Sequence, residues 1–126
     1  MGSSNYSDTS RIDIDIDFST YLIDGRKNEY GDVYEGKNKL ADFIFDHRFI
    51  FVDCPDCNHY KIYEWTKKGL KMFASTNYPI YKKHYLGSNY VKEVYRIAKL
   101  ISEEKDFSLT SFNCKDWVKE FKYFFE

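Results

Sequence analysis

The sequence predicts an α+β domain in which a small antiparallel sheet of hairpin strands packs against C-terminal helices. Aromatic residues make up 20% of the chain and alanine is scarce, a composition that favours strands over a helical bundle. Short apolar runs separated by turn residues come first along the chain, and apolar residues at helical spacing come last. Strands followed by helices are typical of the α+β class.

The bulk composition limits the number of domains and the kinds of partner. The chain has 126 residues, of which 43% are hydrophobic. We therefore expect a disordered polar tail at residues 1–10 and a single domain at residues 11–126. The net charge of −1 argues against a nucleic-acid partner and against bulk attraction to anionic membranes, while the oligomeric state stays open.

The cellular location is predicted from what the sequence lacks. No apolar run approaches the roughly 18 residues of a membrane span, and the N-terminus does not have the pattern of a signal peptide. The three cysteines, Cys54, Cys57 and Cys114, are an odd and low number that gives no disulfide framework. We therefore expect a cytoplasmic protein in a reducing environment.

Local patterns predict where the strands lie. Arg11 to Phe18 alternates charged and apolar residues, as a half-buried strand does. Turns are expected at Asp24-Gly25 and Tyr30-Gly31-Asp32, whereas Lys37 to Asp46 is ambiguous and is compatible with a short helix. Three antiparallel strands then follow, at about His47–Cys54, His59–Thr66 and Leu70–Ala74.

The connections after these strands are predicted from turn residues. Pro55-Asp56 suits the centre of a type I turn, and Lys67-Lys68-Gly69 suits the second turn. A loop that holds Tyr78-Pro79, His84 and Gly87-Ser88 is expected next.

Two helices are predicted at the end of the chain. The first spans about Tyr90 to Glu104, with Ser88 or Asn89 as its N-cap. Phe107 to Phe112 forms a connector or a short strand. The second helix spans about Cys114 to Phe125.

The start of the last helix raises a question about function. Asn113 suits the N-cap, and Asp116 three residues later makes a pair of the capping-box type. Cys114 is then the first helical residue, beside unpaired N–H groups and the positive end of the helix dipole. This position favours thiolate, the nucleophilic form, and the same N–H groups could hold an oxyanion. The alternative is a buried structural cysteine.

A nucleophilic cysteine needs a base, and His47 is the first candidate. If Pro55-Asp56 is a two-residue loop, Cys54 pairs with Cys57 and His47 pairs with Glu64 on the same face. Glu64 could then orient the imidazole of His47 and stabilise its cation. His59 is the rival base, although it lies at the turn end of its strand, and His84 is a weaker candidate in a loop.

Over roughly His47 to Phe121 the chain resembles the circularly permuted papain-like (NlpC-like) cysteine hydrolases, and most of the likeness is in the segment YLGSNYVKEVYRIAKLISEEKDFSLTSFNCKDWVKEF, Tyr85 to Phe121. That group includes the lecithin:retinol acyltransferase-like and PPPDE-type proteins, in which the histidine precedes the cysteine. A Gly-Ser-type turn, a helix, an approach ending in Asn-Cys and a helix of the C-x-x-F-V type carry the likeness. Trp117-Val118 stand where this pattern has Phe-Val.

The resemblance implies a fold, a reaction and a set of catalytic residues. It matches Cys114 to the nucleophile, His47 to the base and Glu64 to the third polar group. We further expect Asn113 to cap the helix and to contact the oxyanion. Acyltransferase-like members have a second histidine twelve positions after the first, a spacing that His59 satisfies, and their third residue is histidine where this chain has Glu64. The membrane-anchoring tail of some members has no counterpart before Glu126, so no stable membrane anchor is expected.

The expected function is that of a cofactor-free thiol hydrolase, of the cysteine protease or amidase type, or an acyltransferase. Its substrate would be a peptide, a protein or a lipid ester. Two alternatives stay open: a binding module of the same fold without catalysis, and a zinc or redox site formed by Cys54, Cys57 and His59 in the segment CPDCNH. The simplest interpretation of that segment is a hairpin turn with incidental cysteines.

Overall fold

A computed structural model describes residues 11–12, 29–39, 47–54, 60–103 and 105–126 of the chain. Within these residues the protein is an α+β structure, as the sequence predicts. It contains six strands, β1 Arg11–Ile12, β2 Tyr30–Asn38, β3 His47–Asp53, β4 Tyr60–Thr66, β5 Gly69–Ser75 and β6 Lys82–Tyr90. Two helices follow, α1 Val91–Ser102 and α2 Cys114–Phe125.

The strands form one antiparallel sheet in the order β1-β5-β4-β3-β2-β6. Strands β2 to β5 are neighbours in chain order, whereas β6 crosses to pair with β2. β3 therefore lies in the middle of the sheet, between β2 and β4, and this position buries its apolar residues on both faces.

The two faces of the sheet belong to two apolar clusters. On one face Ile50, Val52, Tyr63 and Trp65 pack with the buried sides of both helices. On the other face Phe49, Phe51, Ile62 and Phe73 pack with Tyr78, which follows β5. Successive residues of a strand point to opposite faces, so the alternation along β3 assigns its odd-numbered residues, from His47 onwards, to the face opposite α1 and α2.

Two sequence predictions for the middle of the chain are wrong. Tyr30-Gly31-Asp32 begins strand β2 rather than forming a turn. Gly31 is needed there because a Cβ on it would stand 2.8 Å from the carbonyl oxygen of Asp53, so the glycine permits a close approach of two backbones. The expected loop around His84 and Gly87-Ser88 is strand β6, which pairs with β2 over its whole length.

The helix predictions are confirmed with one change at the first N-cap. Helix α1 begins at Val91 after Tyr90, which makes no side-chain capping bond, so neither Ser88 nor Asn89 is the cap. Helix α2 begins at Cys114 with Asn113 as its N-cap and a complete capping box through Asp116. Trp117, Val118 and Phe121 are buried, as expected.

Several sequence predictions lie outside the described residues. These are the N-terminal tail, the strand beyond Ile12, the turns at Asp24-Gly25 and Pro55-Asp56, and the ambiguous stretch from residue 40 to residue 46. In the described parts of the chain, neither helix has the length and apolarity to cross a membrane.

Candidate active site

The N-terminus of α2 presents Cys114, and local hydrogen bonds fix its position. The Oδ1 atom of Asn113 accepts the N–H groups of Lys115 and Asp116, at 2.9 and 3.2 Å, and a carboxylate oxygen of Asp116 accepts the N–H of Asn113 at 2.9 Å. The N–H of Cys114 itself has no acceptor within the helix, because it belongs to the first turn. This N–H group and the positive end of the α2 dipole both lie next to the sulfur, where they stabilise negative charge.

The segment before Cys114 is attached to the sheet by Trp65. The indole Nε1–H of Trp65 donates to the carbonyl oxygen of Phe112 at 3.2 Å, and the two aromatic rings meet edge to face at 5.6 Å. A backbone bridge between Ser108 and Phe112 closes the same segment on itself. The end of β4 therefore positions the chain two residues before the nucleophile candidate.

The sulfur of Cys114 meets β3 at its N-terminal part, beyond the end of the ladder with β4. The ladder between the two strands runs from Asp53–Tyr60 to Ile50–Tyr63 and stops there, although β3 begins at His47 and β4 continues to Thr66. In this part of β3 the backbone N–H of Arg48 donates a hydrogen bond to the Cys114 sulfur. The sulfur is buried, since Cys114 is only 6% exposed.

His47 joins Cys114 to Glu64. The Nε2 atom of His47 lies 2.9 Å from Oε2 of Glu64, and both side chains are largely buried. The side chain of His47 also hydrogen-bonds to Cys114. Because Nε2 bonds to Glu64, Nδ1 is the ring nitrogen that remains to meet the sulfur. The three residues form a continuous chain of hydrogen bonds in the order cysteine, histidine, carboxylate.

The contact between His47 and Glu64 is the predicted one, but the predicted register is wrong by two residues. The observed ladder pairs Ile50 with Tyr63 rather than with Lys61. Extended along the strands, it places Glu64 diagonally from His47 instead of directly opposite. A shift of two residues keeps every side chain on its face of the sheet, so the expected neighbours still meet.

Neighbouring residues fix the positions of both His47 and Glu64. The hydroxyl of Tyr78 donates a hydrogen bond to the same Oε2 atom of Glu64 that accepts from His47. The ring of Phe49 stacks on the imidazole of His47 with centroids 5.9 Å apart. Gly36 makes room for this ring, because a Cβ on Gly36 would lie 2.6 Å from Phe49.

The electrostatic environment favours a thiolate and an imidazolium. Burial by itself raises the pKa of Cys114, but the hydrogen bond from His47, the backbone N–H of Arg48 and the charges of both residues outweigh burial and hold the pKa below its usual value. Burial by itself lowers the pKa of His47, but the hydrogen bonds to Cys114 and Glu64 and the charges of both partners outweigh it and raise the pKa to about 9.

Arg48 brings a second positive charge to the site and is itself held by a buried carboxylate. Its Nη1 donates to Oε2 of Glu35 at 3.2 Å, and Nζ of Lys122 on α2 donates to Oε1 of Glu35 at 2.9 Å. Glu35 is only 5% exposed. This cluster joins β2, β3 and α2 beside Cys114.

The other candidate residues from the sequence have different positions. Nδ2 of Asn113 donates to the carbonyl oxygen of Leu109, so an oxyanion contact would have to use its second amide hydrogen. His84 is exposed on the edge strand β6, and the rival base His59 lies outside the described residues.

The alternative zinc site is affected by the state of Cys54. Although no disulfide framework was expected, the sulfur of Cys54 is disulfide-bonded, whereas Cys114 is a free thiol. A disulfide sulfur is not a thiolate ligand, so zinc binding through Cys54 would require its reduction. Cys57, the second cysteine of that motif, lies outside the described residues, among which no group of three or more potential ligands is suited to a metal ion.

Arg48, Trp65 and Tyr78 are among the residues of the site that sequence reasoning missed. Arg48 follows His47 directly, which was an available signal for a nearby cation. The contacts of Trp65 and Tyr78 depend on how distant segments meet, and no local pattern indicates them.

No family model matches the sequence, and no curated protein or solved structure matches the chain.

Proposed function

We propose that the protein is a cysteine-dependent hydrolase or acyltransferase of the permuted papain-like kind, and that it acts on an amide, isopeptide or ester bond through an acyl-thioester. One observation carries the proposal. The sulfur at the N-terminus of α2 hydrogen-bonds to His47, whose other ring nitrogen is bonded to the buried Glu64. A nucleophile, a base and a group that orients the base, in this order, are the parts of a catalytic triad.

The first half of the proposed reaction forms the acyl-enzyme. The Cys114 thiolate attacks the carbonyl carbon, a C–S bond forms and the carbonyl electron pair moves to oxygen. The backbone N–H of Cys114 donates to this oxyanion. The oxyanion collapses, the bond to the leaving group breaks, and the leaving group takes the proton from Nδ1 of His47.

The second half releases the acyl group. Water, or another nucleophile in the case of transfer, attacks the thioester and gives its proton to the neutral imidazole of His47. The C–S bond then breaks and the thiolate–imidazolium pair is restored. Glu64 keeps Nε2 of His47 protonated throughout, which leaves Nδ1 for the reacting proton.

The chain as a whole carries no strong positive charge, so we prefer substrates with an amide or isopeptide bond over esters of anionic lipids.

The test is the pH dependence of Cys114 alkylation by iodoacetamide, measured by peptide mass spectrometry. In the wild type we expect a midpoint well below the roughly 8.5 of a free thiol. In His47→Ala the midpoint should rise to or above that value, because burial remains and the imidazolium is gone. His84→Ala removes an exposed histidine on β6 and is the matched control, with no expected change.

A second measurement addresses turnover. Once a substrate is found among peptide amides, isopeptides and esters, Cys114→Ala should abolish turnover and Glu64→Gln should reduce kcat. An ordinary midpoint in the wild type, or the same midpoint in His47→Ala, would contradict the thiolate pair. Turnover that survives in Cys114→Ala would contradict the mechanism.

A further inference from the structure

A surface cavity of about 520 Å³ lies on the side of Trp65 that faces helix α1. The β4–β5 hairpin, the C-terminal end of α1 and the segment that follows it line this cavity, and the residues of the candidate triad do not. Its volume is within the roughly 300–1,000 Å³ of typical ligand sites. The cavity is therefore large enough for a short segment of another molecule.

The cavity combines an apolar wall with a basic rim. Trp65, Leu70, Met72 and Phe107 provide the apolar wall. Four exposed lysines stand at the rim of the cavity: Lys67, Lys68, Lys99 and Lys105. Lys105 also pairs with Glu120 at 3.5 Å and lies over the ring of Phe112.

Two carboxylates, Glu103 and Asp106, also line the cavity, so the described lining residues carry a net charge of +2, or +1 when Glu120, the ion-pair partner of Lys105, is included. This local charge is opposite in sign to the −1 of the whole chain. Attraction of an acidic ligand at this place is therefore a local property, and bulk charge does not produce it.

We propose that this cavity binds an acidic segment of a polypeptide, with an apolar side chain against Trp65 and carboxylates on the lysines. A peptide is favoured over a nucleic acid for two reasons. Glu103 and Asp106 can accept hydrogen bonds from peptide N–H groups, and a phosphate backbone has no such donors. Among the described residues that line the cavity there is also no arginine, the residue best suited to phosphate.

Trp65 connects the cavity to the segment that leads to the candidate nucleophile. Trp65 lines it and also donates its indole N–H to the carbonyl oxygen of Phe112. Phe112 is two residues before Cys114, so the Cα atoms of these two residues are at most about 7.6 Å apart. A segment held in the cavity would thus deliver its neighbouring residues to the sulfur. That the bound polypeptide is a substrate rests on the proposed function, whereas the binding itself does not.

The test uses the full chain with Cys114→Ala, so that no covalent chemistry takes place. The probe is a fluorescein-labelled eight-residue peptide with four glutamates and one leucine, and its partner has glutamines in place of the glutamates. We expect the acidic peptide to bind more tightly by fluorescence anisotropy, and its affinity to fall as salt rises. In Lys67→Gln/Lys68→Gln/Lys99→Gln the dissociation constant should rise about tenfold, at a few-fold per surface charge pair.

A triple variant with the same change in net charge is the control. Lys82→Gln/Lys92→Gln/Lys119→Gln removes three exposed lysines outside the cavity and should change the dissociation constant less than about twofold. Circular dichroism verifies that both variants fold. Equal binding of the two peptides, or equal losses in the two triple variants, would overturn the proposal, as would a duplex oligonucleotide that binds more tightly than the peptide.

The two proposals fail separately. Peptide binding is measured without the thiol, and the alkylation midpoint of Cys114 is measured without any ligand in the cavity. Loss of peptide binding with a low alkylation midpoint would remove only the cavity proposal. Peptide binding with an ordinary midpoint would remove only the catalytic one.

Discussion

The hydroxyl of Tyr78 and the Nε2–H of His47 donate to the same carboxylate oxygen of Glu64. Tyr78 follows β5 and is 8% exposed, while Glu64 is 5% exposed, so water does not replace either donor easily. The carboxylate is thus fixed by a residue that has no role in the reaction itself. Glu64 can keep its negative charge although it is buried, because it accepts two hydrogen bonds. This charge stabilises the imidazolium of His47.

Because Tyr78 donates to this oxygen of Glu64, we expect Tyr78→Phe to lower the stability of the protein. The variant removes one donor to a buried carboxylate, so we expect the free energy of unfolding to fall by about 1.5–3 kcal/mol. The alkylation midpoint of Cys114 should move less than in Glu64→Gln, because the charge of Glu64 remains. Urea unfolding and the alkylation profile measure the two effects. Tyr123→Phe, which removes an exposed hydroxyl on α2, is the matched control.

The charge state of His47 predicts a titration that NMR can follow directly. With its pKa raised to about 9, His47 remains an imidazolium at neutral pH and loses its proton only as the pH passes about 9. In Cys114→Ala the midpoint should fall, because the hydrogen bond to the sulfur is the largest influence that raises it and burial persists.

The measurement for this prediction is the pH dependence of the imidazole ¹⁵N shifts. Lys119→Gln, on the exposed side of α2, should leave the midpoint unchanged. A wild-type midpoint near the ordinary 6.5, or an unchanged midpoint in Cys114→Ala, would mean that the sulfur and the ring are not coupled.

Local signals in the sequence were enough for some elements and not for others. Helix α2 was predicted at its observed bounds because Asn113 and Asp116 form a cap that needs no distant residue. The contact between His47 and Glu64 was predicted although the register was wrong, because a strand repeats every two residues. Strand β6 was missed because its conformation depends on pairing with β2, which lies about fifty residues earlier.

The packing of Phe49 against His47 predicts the effect of Gly36→Ala. A Cβ at residue 36 would lie 2.6 and 2.7 Å from two ring atoms of Phe49, so the ring must move. We expect a loss of about 1–3 kcal/mol in the free energy of unfolding from overpacking. Because the same ring stacks on His47, Cys114 should also be alkylated more slowly at neutral pH.

Gly69→Ala separates these two effects. Gly69 has a φ of +99° and an open surrounding, so alanine strains the backbone there by about 1–3 kcal/mol but touches nothing. This variant should lose stability and keep the alkylation rate of Cys114. If both variants slowed alkylation equally, the effect would come from lower stability and not from the position of the imidazole.

The cap of α2 predicts opposite behaviour for two substitutions of Asn113. Asn113→Ala removes the oxygen that accepts the N–H groups of Lys115 and Asp116, so the free energy of unfolding should fall by about 1–2 kcal/mol. Asn113→Asp keeps an acceptor and should change stability by less than about 1 kcal/mol. It also places a negative charge next to the sulfur, which disfavours thiolate. The alkylation midpoint of Cys114 should therefore rise in Asn113→Asp.

The control for this prediction is Lys119→Gln, which lowers the net charge by the same amount on the exposed side of α2 and should not move the midpoint. A midpoint that stays constant in Asn113→Asp would show that charge at the start of α2 does not reach the sulfur.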